Sequence, residues 1–167
     1  MSFSGAGRLL AFLGAFTAQQ LGWQALRGSL AEQLVIHWGT VVPAAWLVDI
    51  LTPGAQARAV GFSLVAPGGG LNILNGCEGM ETLFLLVAAF LVAPLPGRLR
   101  WQGLLLGTVV VFVVNQLRIL TLFYVFRADA NWFDPLHGTV TPIAVVLLVA
   151  AYFYSWLLHA RHAAVTA

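Results

Sequence analysis

Residues 75–94 read NGCEGMETLFLLVAAFLVAP. A glycine-flanked thiol, Cys77, and two carboxylates, Glu78 and Glu81, stand at the head of an apolar run that ends on prolines. The run continues into PGRLRW, where Arg98 and Arg100 crowd one tight connection, and then into a second, longer apolar stretch. An apolar segment that stops at a short arginine-rich turn and resumes at once reads as a pair of membrane helices joined on one side.

Composition agrees with that reading. The chain is 60% hydrophobic and 8% charged over 167 residues, against roughly 25% charged for a soluble domain. It predicts an all-α integral membrane protein, a polytopic helix bundle forming one domain over residues 1–167. The net charge of +2 comes from eight arginines, with no lysine. They are too few and too scattered to make a nucleic-acid surface, and they serve better as topology markers. With one cysteine, no intramolecular disulfide is available. The opening, MSFSGAGRLLAFLGAF, has signal-peptide character but no clear A-x-A site, and is read as a retained first helix.

A hydrocarbon core of ~30 Å needs about 20 apolar residues per helix. Four segments meet that demand: Leu9–Leu26, Gly79–Leu95, Gly103–Phe126 and Thr139–Leu158. The first is the weakest because it carries Gln19, Gln20 and Gln24. A fifth, Glu32–Leu51, holds Glu32, His37, Gly39, Pro43 and Asp49, and reads as an extracytoplasmic interfacial or re-entrant helix. With Arg8, Arg98, Arg100 and Arg161 on the cytoplasmic side, four spans thread consistently. A five-span threading would move Arg8 outside. Before Cys77, alternation at Val60, Phe62 and Leu64, then PGGG, then Leu71 and Ile73 predicts a short hairpin. No Lys-Ser/Thr pair follows the glycines, so they read as a turn rather than a phosphate cradle.

This threading brings three groups to one face. Cys77 opens a helix there, where the dipole favours the thiolate and burial opposes it. Arg118 lies about two turns below the outer end of the next span. His137 sits where the last helix begins. An ionisable group at such depth is functional by default. The bland alternatives are a buried thiol, an ion pair of Arg118 with Glu78 or Glu81, and a helix-capping turn around Pro135. Asn115, one turn before Arg118, is placed to orient the guanidinium, and Asp134 to orient His137. A thiol, a base and a fixed cation make a set for acyl transfer. His37, His159 and His162 read as interfacial or tail residues, and neither a metal-ligand spacing nor a cofactor motif stands out.

The run Asn75-Gly76-Cys77-Glu78-Gly79, then Asn115-Gln116-Leu117-Arg118-Ile119, then Leu136-His137-Gly138 resembles the exosortase/archaeosortase family, in its compact H- or M-like forms. The likeness extends from about Val60 to Leu158. It implies a membrane-embedded cysteine transpeptidase or protease with Cys77, Arg118 and His137 as catalytic residues. It further implies substrates that are exported proteins ending in a short motif, a transmembrane helix and an arginine-rich tail, handed to a surface acceptor. The implied location is the bacterial inner membrane, with the active site on the extracytoplasmic face and lipid around it. Glu78 departs from the small residue often found after the cysteine in the longer family members. Two other classes compete: a non-enzymatic membrane subunit built on an Arg–Glu ion-pair network, and a small transporter with Arg118 as anion site. The transporter reading lacks any internal repeat.

Overall fold

The structure, a computed structural model, describes residues 5–74 and 76–165, with side chains described through His162. Asn75, which opens the motif quoted above, lies outside the described residues. The chain forms five main helices and one small sheet: α1 (Gly5–Ala25), α2 (Leu30–Leu51), β1 (Arg58–Val60), β2 (Ser63–Val65), β3 (Leu71–Asn72), α3 (Met80–Val92), α4 (Gly97–Ala128) and α5 (Thr141–Val165). Among the described residues, three helical stretches are long and apolar enough to cross a membrane: Leu30–Leu51, Gly97–Ala128 and Ala130–His162. The four expected segments are all helices, with ends displaced by a few residues. Two of them, α1 and α3, are not among those three, and α3 is only 13 residues long.

Glu32–Leu51 departs furthest from expectation. It belongs to one 22-residue helix that meets the length and composition for spanning, whereas the sequence pointed to an interfacial or re-entrant piece. Pro43 does not interrupt it: it follows directly on a π-helical stretch, Leu34–Val41, where the regular i→i−4 pairing is already replaced by wider bonds such as Val42 N–H to the His37 carbonyl. The Thr40 hydroxyl donates to the Val35 carbonyl five residues back, at 3.0 Å, which suits the wide turn.

α3, α4 and α5 pack around two glycines one turn apart on α4, Gly103 and Gly107. A Cβ on Gly103 would stand 2.5 Å from the Phe90 and Trp156 rings, and one on Gly107 2.6 Å from Leu86. Small residues at i and i+4 let helices approach closely where lipid offers no hydrophobic driving force. Polar ring atoms complete the contact: Tyr152 Oη donates to the Gly103 carbonyl at 2.6 Å, and Trp156 Nε1 to the Leu99 carbonyl at 3.1 Å. Leu10, Leu105 and Leu147 meanwhile point outward and are 63–70% exposed, as lipid-facing positions would be.

Two ends of the bundle follow from these contacts. At one end Arg8, Ala93 and Arg100 line a common cavity, and Arg100 Nη2 donates to the Ala93 and Leu95 carbonyls in the connection just past α3. At the other end Trp23, near the close of α1, reaches Glu78. α2 packs along the half of α4 beyond Asn115: Gln116 Nε2 donates to the Thr40 carbonyl, and Thr52 pairs with Tyr124 through their hydroxyls. The three strands form an antiparallel sheet in the order β1-β2-β3, with Arg58 opposite Val65 and Leu64 opposite Leu71. The hairpin expected across PGGG is therefore β2–β3, and a second one at Gly61-Phe62 adds β1. Arg127 Nη1 donates to the Pro67 carbonyl at 2.7 Å, fastening the glycine turn to the end of α4.

Candidate active site

Cys77 stands in the turn that joins the sheet to α3. The turn needs backbone that only glycine adopts easily: Gly76 has φ 98° and Gly79 φ 87°. Gly79 also abuts Asn115, whose Cγ would lie 3.0 Å from an added Cβ. α4 supplies two hydrogen bonds to this turn from positions three apart. Asn115 Nδ2 donates to the Cys77 carbonyl at 3.1 Å, and Arg118 Nη1 to the Gly76 carbonyl at 3.3 Å. Glu78 closes the turn from the other side. Its carboxylate accepts the Gly76 N–H and, from α1, Trp23 Nε1 at 3.0 Å.

His137 arrives from the stretch between α4 and α5. A short 3-10 turn (Ala130–Trp132) and a single α-helical turn (Phe133–Pro135) lead into a π-helical turn, Leu136–Val140, that widens the backbone where His137 projects. The Phe133 ring stacks on the imidazole, 5.2 Å between centroids and 9° from parallel. Nε2 of His137 then lies 3.1 Å from Cys77 Sγ. Arg118 reaches the same sulfur with Nη2 at 3.9 Å. Its Nε is held by Thr141 Oγ1 at 3.1 Å, and that hydroxyl donates in turn to the Leu136 carbonyl at 3.0 Å. Three residues separated by 41 and 19 positions in the chain thus meet at one sulfur atom.

Several expectations about the surrounding residues change. Asn115 grips the Cys77 carbonyl rather than orienting Arg118; that second task belongs to Thr141. Arg118 bonds to Thr141, the Gly76 carbonyl and the thiol, not to a carboxylate. Glu78 is buried and occupied by Trp23 and Gly76. Glu81 is exposed in the first turn of α3. Among the described residues, Arg118 makes its hydrogen bonds away from Glu78 and Glu81. Asp134 is exposed, and the His137 imidazole stacks on the Phe133 ring.

The thiol itself is also corrected. Cys77 precedes α3 by three residues instead of opening it, so the helix dipole acts from a distance. Burial pushes the thiol above its ordinary pKa; Arg118 pulls it down, and Glu78 and Glu81 push it up again. A thiol pushed up in this way depends on the neighbouring imidazole to take its proton. Trp23, Phe133 and Thr141 were not singled out from sequence. Thr141 had a usable signal, a hydroxyl one turn after His137 at the mouth of an apolar helix. Trp23 and Phe133 look like any other aromatic residue at a membrane boundary.

Among the described residues no three His, Cys, Asp or Glu side chains gather to hold a metal ion. His37 is spent on the Gly61 carbonyl, 2.6 Å from Nδ1, and His159 lies against Trp156. Compared with protein-family models, with characterised proteins and with solved structures, the chain matches none.

Proposed function

We propose that the protein is a membrane-embedded cysteine peptidase or transpeptidase, with Cys77 as nucleophile, His137 as base and acid, and Arg118 as the oxyanion partner. The observation that carries this reading is the meeting of His137 Nε2 and Arg118 Nη2 at Cys77 Sγ, at 3.1 and 3.9 Å. As Sγ attacks a peptide carbonyl, its proton passes to His137 Nε2 and a C–S bond forms. The guanidinium, fixed by Thr141, meets the developing oxyanion. In a water-poor site one such donor supplies roughly 3–4 kcal/mol of barrier lowering. Collapse of the intermediate breaks the C–N bond, His137 returns its proton to the leaving amine, and a thioester remains on Cys77. Water or an amine acceptor then resolves it, with His137 again taking the proton.

Four spans suit this chemistry best: α1, α3, α4 as far as about Arg118, and α5. From Gly97 to Arg118 α4 rises about 30 Å, one hydrocarbon thickness. The site then lies at the far surface from Arg98 and Arg100. α2 and the sheet form a cover on the outer half of α4. By the positive-inside rule that surface is extracytoplasmic, and the membrane is a bacterial inner membrane in this reading. The substrate class is exported proteins whose carboxy-terminal membrane helix delivers its outer end to Cys77.

The test is maturation of such a protein, chosen from genes neighbouring this one, in cells carrying Cys77→Ala, Arg118→Ala or His137→Ala. Each variant should accumulate in the membrane yet leave the substrate unprocessed. Normal processing by Cys77→Ala would end the reading.

A further inference from the structure

At the end of the bundle opposite the Cys77 turn, a cleft of about 420 Å³ lies between the start of α1, the end of α3 and the first turn of α4. Two arginines line it, Arg8 from α1 and Arg100 from α4. The rest of its wall is apolar, and Arg8, Ala11, Leu91 and Pro94 are all exposed, so the cleft is open to its surroundings. Arg100 is anchored there, because its Nη2 is held by the Ala93 and Leu95 carbonyls. No carboxylate lines the cleft. The six acidic side chains of the chain lie elsewhere: Glu32 and Asp49 on α2, Glu78 and Glu81 about the Cys77 turn, and Asp129 and Asp134 between α4 and α5.

The same faces of α1 and α3 carry a second cavity, almost wholly apolar and about 210 Å³, closed on its far side by Val146, Ala150 and Phe153 of α5. Phe12, on its wall, is one turn past Arg8. On α3, Thr82, Leu85 and Ala89 of this groove continue to Val92 of the cleft at spacings of three, four and three, which keeps them on one stripe. From Val92 back to Thr82 the helix rises about 15 Å, half of a ~30 Å hydrocarbon core.

We infer that cleft and groove together bind one anionic phospholipid, its phosphate between Arg8 and Arg100 and one acyl chain along α3 between α1 and α5. Charge complementarity identifies the head: two guanidiniums with no carboxylate beside them suit a phosphate, which a guanidinium fork binds bidentately. The groove identifies the tail, since a free phosphate has no use for an apolar channel one leaflet deep. Basic pockets between membrane helices on the cytoplasmic side hold such headgroups. With Arg98 and Arg100 cytoplasmic, the lipid belongs to the inner leaflet. The inference does not depend on the peptidase reading.

The probe is dioleoyl phosphatidylglycerol against dioleoyl phosphatidylcholine, added to the full-length protein in detergent, with binding of the first lipid read by native mass spectrometry. The anionic lipid should bind at least ~10-fold more tightly, because the choline ammonium of the other would be brought against two like charges. Arg8→Gln should remove most of that preference, and its exposed position spares the packing of the bundle. Arg98→Gln should leave the preference unchanged, since Arg98 is exposed on the same turn as Arg100 but does not line the cleft. Ala150→Phe places a ring in the groove from an exposed position, and should weaken the dioleoyl lipid while sparing dihexanoyl phosphatidylglycerol. Equal affinity for the two dioleoyl lipids overturns the inference. So does an Arg98→Gln loss as large as that of Arg8→Gln, which would mean a diffuse attraction to the whole basic end. Displacement of the anionic lipid by millimolar inorganic phosphate, with Ala150→Phe without effect, would make the cleft a site for the free anion and overturn the lipid assignment.

Discussion

At the scale of single residues, the central feature is a buried thiol that needs its base. Because Cys77 is pushed up by burial and by Glu78 and Glu81, its alkylation rate should rise with pH around a midpoint above the ~8.5 of a free cysteine. Removing a lowering influence raises that midpoint, so Arg118→Ala should move it further up. Removing a raising one lowers it, so Glu78→Gln should bring it down. Stopped-time alkylation across pH reads all three, and a wild-type midpoint below 8 would contradict the burial argument. Thr141 gives a second residue-scale prediction. Thr141→Val removes the acceptor of Arg118 Nε while keeping the shape, and should slow substrate processing roughly 10–100-fold, the equivalent of losing a hydrogen bond to a charged group. Thr141→Ser keeps the hydroxyl and should restore most of the rate. Equal rates for the two variants would leave Thr141 no part in positioning the guanidinium.

At the scale of elements, the turn before α5 and the glycines of α4 matter most. The apolar runs made each helix legible in the sequence, because about 20 such residues have few other uses. His137 was legible as a reactive group from its place at a helix mouth. What the run of letters could not convey is the π-helical turn Leu136–Val140, which depends on a Thr141 hydroxyl bonding five residues back. It also hid the roles of Asn115 and Glu78. Both carry the expected chemistry but spend it on backbone groups of the Cys77 turn, a pairing set by where Gly76 and Gly79 bend the chain. The hairpin's extra strand escaped for a related reason: a two-residue turn at Gly61-Phe62 lies inside what looked like one alternating run. Gly103 supports an element-scale prediction. Gly103→Leu would drive a side chain into Phe90 and Trp156, already 2.5 Å from a bare Cβ. It should destabilise the α3–α4–α5 core by at least the ~1–3 kcal/mol of ordinary overpacking. Thermal unfolding in detergent checks this, and an unchanged midpoint would mean that the helices do not pack at this glycine.

Across the whole molecule, the arrangement is a bundle whose two ends differ in chemistry. Arg8, Arg98 and Arg100 mark one end; the sheet, the Cys77 turn and His137 mark the other. Accessibility mapping with single cysteines in a Cys77→Ala background should place position 98 on the cytoplasmic side and position 131 outside. α2, long enough to span yet packed on the far half of α4, should be labelled at Thr52 from the outside as well. Labelling of positions 98 and 131 from one side would break the shared face on which the account depends. The most direct test of the central claim is intact-mass analysis of the purified protein caught during turnover of a tail-bearing substrate. The account predicts an adduct equal to the substrate's amino-terminal fragment, joined to Cys77 as a thioester, cleaved by hydroxylamine and absent from Cys77→Ala. Processing of the substrate by Cys77→Ala, or turnover in which no hydroxylamine-labile adduct forms on Cys77, would contradict it.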